Sequence, residues 1–444
     1  MESSSISMYA SKMCDTCKKN DSISEELYKQ YGVNRGLRDV NGKGVLTGLT
    51  NISQVLAFKE ENGVKVPIDG ELWYRGYRVN SLIDDIKPGE FGFERIAYLL
   101  LFGEKPTDSQ FKEFCDVIGE NRTLPTNFTR DVIMKAPSKD IMNSMTRSIL
   151  TLASYDDNAL SLELENSIRQ CLLLIAQFPM LATYAYHAYN HYFCDTSMYI
   201  HRPDSNLSTA ENILMMLRPD QKYTELEARI LDIALILHME HGGGNNSTFT
   251  TRVVTSAGTD TYSATAAAMC SLKGPKHGGA NIKVMDMMSN IKANVSDIND
   301  REEIRSYLSK MLAGEAFDKK GLIYGLGHAI YSVSDPREVI FKSYVEKLAA
   351  DKGKSQEMAF YNIVEEEGID LIRHSRKIYK GVCPNVDFYS GFVYDMLGIP
   401  SELYTPLFAI ARIVGWSSHR IEELICMNKI IRPAYMSVME KNEI

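Results

Sequence analysis

The chain is predicted to be mainly α: a large helical domain with a smaller helical domain inserted near the C-terminus. Beyond Phe91, apolar residues recur at three- and four-residue spacing, the period of helices that turn one face to a core. Strand signals are confined to a short stretch before that point. Strands and helices never alternate in the way a parallel α/β sheet requires. A chain of 444 residues is also long enough for more than one hydrophobic core.

In chain order, residues 1–35 read as a polar N-terminal extension with one short helix over 24–31. A small strand-like region follows over 45–76, with turn signals at Asp39-Val40-Asn41-Gly42 and Ile68-Asp69-Gly70. Helical spacing then runs through 95–102, 143–152, 160–178, 210–217 and 224–238. Further helices are expected at 263–272, 282–291, 301–313, 336–351, 357–373, 386–397 and 405–426. The large domain is placed at 36–280 and 390–444, with the small domain between them at 281–389. The charged stretch 294–305 reads as a solvated connection and helix start.

Apolar residues make up 44% and charged residues 24%, as in ordinary globular proteins. A net charge of -8 argues against general nucleic-acid binding, which favours a basic footprint. It leaves room for an anionic substrate, because a few arginines in a cleft outweigh a distant surface field. The richest apolar run, 171–180, is interrupted by Gln177 and Pro179 and reads as a buried helix; no run is expected to span a bilayer. Eight mostly scattered cysteines suit a reducing compartment, and Cys14-x-x-Cys17 lacks a second ligand pair for metal. The Ser-rich start has no apolar h-region, so a cytoplasmic location is expected, although a mitochondrial transit peptide stays open.

Four stretches carry the chemistry. They are His238-Met239-Glu240-His241-Gly242-Gly243-Gly244-Asn245-Asn246-Ser247, Gly274-Pro275-Lys276-His277-Gly278-Gly279-Ala280-Asn281, Gly325-Leu326-Gly327-His328 with Asp335-Pro336-Arg337, and Pro384-Asn385-Val386-Asp387. Each sets a titratable group beside Gly, Pro or Asn, residues that let backbone turn sharply or approach a ligand. Imidazoles and a carboxylate converging on a small molecule would suit proton chemistry near neutral pH. Arg412, on the apolar helix segment Leu407-Phe408-Ala409-Ile410-Ala411, needs an anion or other partner, since an uncompensated buried charge is costly. His187, His191, His201, His374 and His419 read as structural or surface residues.

In this order, and with Gly36-Leu37-Arg38, Tyr74-Arg75-Gly76-Tyr77 and Val414-Gly415-Trp416 around them, the motifs resemble the citrate synthase family over roughly 36–440. The resemblance implies a citrate synthase-like helical homodimer whose cleft joins acetyl-CoA to oxaloacetate, a tricarboxylic acid cycle reaction. It implies no cofactor, acetyl-CoA being a substrate, and no nucleic-acid or membrane partner. Asp387 matches the base that removes a methyl proton, His277 the residue that hydrogen-bonds the thioester oxygen, and His328 the residue that polarises the oxaloacetate ketone. Arg337 and Arg412 match carboxylate binders of the same subunit, and Arg432 the arginine supplied across the dimer interface. His241 matches a further oxaloacetate contact, with His238 supporting the helix end. Leu322, Gly325, Gly327, Asn385 and Lys380 are the candidates to face CoA. Ser332 stands where some family members place a basic phosphate contact, a departure that shifts phosphate binding toward Lys380, Lys377 or the partner chain.

A 2-methylcitrate synthase using propionyl-CoA is the nearest rival, because one methylene in an apolar pocket is worth only about 1–3 kcal/mol. A metal-dependent hydrolase on His238-x-Glu240-His241 is a more distant one, its two imidazoles sharing a helix face.

Overall fold

The computed structural model describes residues 4–39, 43–62, 64–327, 330–376, 381–426 and 429–439. The chain divides into two units, Met1–Leu49 and Thr50–Ile444. In the first unit, α1 (Ser4–Asp21) precedes α2 (Glu25–Gln30), so the extension is more helical than its polar composition predicts. The Ser24 hydroxyl caps α2 by accepting the Leu27 N–H, as its sequence position suggests. Cys14 and Cys17 lie exposed on α1.

The second unit opens with an antiparallel sheet of β1 (Ser53–Glu61), β2 (Val64–Tyr74) and β3 (Tyr77–Arg78). Its register pairs Ser53 with Tyr74 and Trp73 with Arg78. The expected turn at Ile68-Asp69-Gly70 is instead part of β2. Gly70 is required there by close approach: an added Cβ would lie 2.3 Å from the Ser334 carbonyl oxygen. That carbonyl accepts the Gly70 N–H at 3.1 Å, so the strand packs on the loop before Asp335. The other expected turn, at Asp39-Val40-Asn41-Gly42, falls mostly outside the described residues.

Helices fill the rest: α3 (Val79–Asp84), α4 (Phe93–Phe102), α5 (Asp108–Glu120), α6 (Ile141–Leu152), α7 (Leu164–Cys194), α8 (Thr209–Leu217) and α9 (Glu225–His238). They continue as α10 (Asn246–Ser256), α11 (Thr261–Leu272), α12 (Ala280–Asn294), α13 (Arg301–Leu312), α14 (Pro336–Asp351), α15 (Ser355–Arg376), α16 (Asp387–Met396) and α17 (Tyr404–Cys426). Capping boxes start three of them: Thr107 with Gln110, Ser208 with Glu211, and Thr224 with Glu227. Each such cap contributes about 1 kcal/mol and fixes where the helix begins. Asp335 caps α14 and Pro336 fills its first turn, where a missing N–H costs nothing.

Helices α1, α3, α5 and α10 lie outside the sequence expectation. Helix α5 carries both a capping box and an apolar stripe at Phe111, Phe114 and Ile118 that the sequence reading passed over, and α10 is rich in Thr and Val, poor helix formers overridden by packing. Helix α7 runs straight through Pro179 for 31 residues, so the apolar stretch is longer than expected. By length and composition it could cross a membrane, yet 83% of its apolar window is buried within the protein. That burial on all sides outweighs the roughly 3 kcal/mol a mid-helix proline costs.

Helix α17 is buried along most of its length and carries Arg412, His419 and Arg420 into the interior. Charged side chains on such a helix must each find a counterpart, and those counterparts define the site.

Candidate active site

The corner after α9 is held from several directions. The Tyr74 hydroxyl reaches the carbonyls of Ile236 (3.1 Å) and Glu240 (3.0 Å). Arg412 Nε donates to the His238 carbonyl at 2.8 Å, tying α17 to the same corner. His238 Nδ1 lies 2.8 Å from the Ala234 carbonyl, which can only accept, so that nitrogen carries the proton. Burial drives His238 down to about 3, and the ring stays neutral as a packing and helix-end residue. His241 is buried at the turn, its ring 5.7 Å from that of Tyr331.

Arg412 is the hub. Its side chain is fully buried, its guanidinium lies 4.8 Å over the Phe408 ring, and only Nε has a hydrogen bond. Among the described residues, neither terminal nitrogen has a hydrogen-bond partner. Burial lowers Arg412 to about 10, offset by the nearby Glu240 and Asp387 carboxylates. A forked cation with both tips unpaired in the interior is a site shaped for a bidentate anion. Arg337 differs: Asp335 takes its Nε (3.0 Å) and one terminal nitrogen (2.7 Å). Burial alone would lower Arg337, but its Asp335 partner holds it above the ordinary value.

His277 sits on the turn into α12, its Nε2 3.0 Å from Ser247 Oγ. Trp416 Nε1–H donates to the same oxygen at 3.1 Å, which leaves the hydroxyl hydrogen for His277 or for Asn245 Oδ1, 3.0 Å away. The His277 ring lies 6.1 Å from Phe408, on the ring that Arg412 also covers. Burial and then Arg412 lower it to about 4, so it is a neutral imidazole. Gly278 beside it has no room for a side chain, since a Cβ would lie 2.4 Å from the Leu272 carbonyl oxygen.

Asp387 opens α16, its N–H accepted by Asn385 Oδ1 at 3.0 Å. Asp387 is half-buried as a residue, and its carboxyl lies deep among protein atoms. Burial, with Asp335 adding to it, raises Asp387 to about 6 against the pull of Arg337 and Arg412. The helix N-terminus favours its ionised form.

The glycine-rich loop pairs with the segment before Asp387. Leu326 bridges Pro384, Gly327 N–H reaches the Cys383 carbonyl (2.8 Å), and Asn385 N–H reaches the Gly325 carbonyl (2.9 Å). Asn385 Nδ2 also donates to the Gly327 carbonyl at 3.1 Å. Gly325 takes φ 81°, and a Cβ there would lie 2.8 Å from Phe388. Leu322 is 39% exposed at the start of this loop.

The structure therefore brings His277, Asp387, Arg337 and Arg412 into one electrostatic neighbourhood, with His238 packed on Phe408 beside Arg412. His241 lies on the same corner as His238. His328, Lys377 and Lys380 fall outside the described residues. Arg432 is exposed in the coil after α17 and makes no hydrogen bond or ion pair among the described residues. Ser332 is buried, with Gly381 packed against its carbonyl. Sequence reasoning missed Ser247, Phe408 and Trp416 as neighbours of the titratable groups, although Ser247 closes the stretch that begins at His238 and Trp416 lies within Val414-Gly415-Trp416. Glu240 faces Ser53 and His419, away from any metal geometry with His238 and His241. Among the described residues, no group of three or more His, Cys, Asp or Glu could hold a metal ion.

Comparison with known proteins matches this arrangement to one family. A family model described as "Citrate synthase, C-terminal domain" matches residues 38–434. The chain is 35% identical to a citrate synthase of Synechocystis sp. over 84% of this chain and 86% of that one. It is 31% identical to 2-methylcitrate synthase 2 of Corynebacterium glutamicum, over 88% and 92%. A crystal structure of citrate synthase from Pyrobaculum aerophilum superposes with a TM-score of 0.75 at 28% identity, covering 91% of this chain and 93% of that one. A ternary complex of carboxymethyl coenzyme A and oxaloacetate with citrate synthase from Thermoplasma acidophilum gives 0.74 at 26%, covering 93% and 98%. The mainly helical fold and the motif order agree with a match running nearly end to end, and the chain belongs to the citrate synthase family of enzymes.

Proposed function

We propose that the enzyme condenses acetyl-CoA with oxaloacetate and water to give citrate and CoA. The observation that carries this reading is the buried Arg412 fork, unpaired at both tips, beside Asp387 and His277. A dicarboxylate seated there would neutralise Arg412 and use the remaining donor capacity of Arg337.

Asp387 then takes a proton from the acetyl methyl group. A carboxylate raised to about 6 is a stronger base than an exposed one and is still ionised near neutral pH. Charge moves onto the thioester oxygen, where neutral His277 donates a hydrogen bond from the nitrogen not facing Ser247. The Ser247 hydroxyl, donating to Nε2, would leave the proton on Nδ1 for that purpose. His328, by its place in the motif, polarises the oxaloacetate ketone and donates the proton its oxygen gains as the new carbon–carbon bond forms. Water then adds to the thioester of citryl-CoA, and the thiol of CoA leaves. His241 adds a contact to oxaloacetate. Leu322, Gly325, Gly327, Asn385 and Lys380 face CoA, the first four along the paired loops. The solved relative holding carboxymethyl coenzyme A and oxaloacetate supports both substrate classes.

The exposed coil holding Arg432 suits a residue that completes the site of a partner subunit in a homodimer. Residues 281–389 act as the smaller domain and the reaction needs no cofactor; the location is cytoplasmic.

Relatives at 31–32% identity include 2-methylcitrate synthases, so the acyl donor is the open variable. A CoA-release assay with oxaloacetate and either acetyl-CoA or propionyl-CoA tests the reading. Expected is oxaloacetate-dependent release with the higher kcat/KM for acetyl-CoA. A preference for propionyl-CoA moves the assignment to 2-methylcitrate synthesis, and no oxaloacetate-dependent release with either donor overturns it.

A further inference from the structure

A second buried charge cluster lies behind the corner that Arg412 braces. Glu240 is fully buried, and its Oε1 accepts from Ser53 Oγ (2.9 Å), the Gly242 N–H (2.6 Å) and His419 Nε2 (3.0 Å). His419, also fully buried, turns Nδ1 to Arg252, with Nε at 3.1 Å and a terminal nitrogen at 2.6 Å. A guanidinium can only donate, so Nδ1 carries the lone pair and the single ring proton sits on Nε2, toward Glu240. Arg252 continues to Glu423 at 2.8 Å and to Glu422, and Glu422 accepts the Asn51 N–H at 2.6 Å.

The other oxygen of Glu240, Oε2, has no hydrogen-bond partner among the described residues, and the same holds for the two tips of Arg412. A Cβ at Gly415, one turn along α17 from Arg412, would lie 2.3 Å from Oε2 and 3.3 Å from Arg412 Cδ. The carboxylate and the arginine stem therefore pass against the same glycine without joining in a hydrogen bond. Burial pushes Glu240 up, but His419, Arg412 and Ser53 together bring it down to about 2, so it is an anion at working pH.

We infer that Arg252, His419 and Glu240 form a positioning relay that keeps a compensating carboxylate near Arg412 while holding it off the guanidinium tips, and so sets the affinity for the dicarboxylate substrate. The inference rests on the oxaloacetate reading above. Without Glu240, the buried Arg412 charge beside Arg337 keeps only the weaker influence of Asp387 as a nearby carboxylate until substrate arrives. With Glu240 untethered, its carboxylate rotates onto the fork and competes with the substrate carboxylate for the same donors. Three donors on Oε1 hold it between these extremes. None of the three residues is placed against reacting atoms; they act through Arg412.

The test is steady-state kinetics on His419→Leu and His419→Gln in the full chain, with thermal melts of each. Leucine removes the donor to Glu240, and KM for oxaloacetate is expected to rise on the order of 10- to 100-fold with KM for acetyl-CoA unchanged. Glutamine offers an amide N–H to Glu240 and an oxygen to Arg252, and is expected to restore KM to within about threefold of wild type. Arg252→Gln, at a half-buried position less prone to misfolding, is expected to shift the oxaloacetate KM in the same direction by a smaller factor. A relay with only a structural role would lower the melting temperature and kcat together and leave KM alone. That result, or equal KM shifts in the leucine and glutamine variants, overturns the inference. A wild-type enzyme with no oxaloacetate-dependent CoA release would instead overturn the functional reading beneath it.

Discussion

Two buried arginines in this protein are mirror images in how their nitrogens are used. Arg122, after α5, spends its forked end on protein: one tip on the carbonyls of Asp204 (3.1 Å) and Leu207, the other on Glu94 and Thr209 Oγ1, both at 3.4 Å. Only its Nε lacks a partner. Arg412 does the reverse, with Nε satisfied and both tips unpaired among the described residues. Burial lowers both cations, so burial alone does not separate them. The fork does. A guanidinium whose tips are consumed by protein tethers α4, α5 and the start of α8; one whose tips are unpaired in the interior has donors left for an anion, the role proposed for Arg412.

The contrast extends to carboxylates. Glu94 accepts both Arg122 and the Thr209 N–H, whereas Asp387 has cationic neighbours but no side-chain hydrogen bond among the described residues. Replacing Asp387 by asparagine therefore gives the largest expected effect, a fall in kcat of about 10²- to 10⁴-fold. The same change should raise the melting temperature at neutral pH. Because burial raises the folded carboxyl from 3.8 to about 6, ionising it costs stability above that range and nothing below it. The stabilisation should thus fade as pH falls from about 6 to about 4, and wild-type kcat/KM should drop over the acid side of about pH 6. A catalytic loss without the pH-dependent gain in melting temperature would mean that Asp387 is not held in a desolvating environment.

Next in size is Arg412→Leu, expected to weaken oxaloacetate binding on the order of 10²- to 10³-fold while the protein still folds. Calorimetric titration of oxaloacetate measures this, and unchanged affinity would erase the distinction drawn between the two arginines. Arg122→Met is the counterpart with no expected kinetic effect: KM for oxaloacetate stays within about twofold, while Glu94, left buried without its cation, costs about 3–5 kcal/mol of stability. Denaturant unfolding beside steady-state kinetics checks both halves. A KM shift in Arg122→Met would show that this corner also bears on the substrate.

Much of the helical order was legible because its signals are local. Periodicity and caps placed α4, α6, α8, α9, α14 and α17 within a few residues of where they stand. Helix α10 escaped because Thr and Val disfavour helix locally and packing overrides them, and Gly70 misled because close backbone approach and a turn both call for glycine. At the site, motif spacing singled out His277, Asp387, Arg337 and Arg412. It did not reveal Ser247 against His277, nor His419 against Glu240, 179 positions away.

Residue order alone specified which groups are available for proton transfer and anion binding, and which segments coil into helices, because side-chain chemistry and helix period are written within a few neighbours. Folding decided which of those groups lose water, which guanidinium retains an unpaired fork, and how far each carboxyl departs from its ordinary titration. Those properties belong to contacts between residues remote in the chain, so no local stretch carries them.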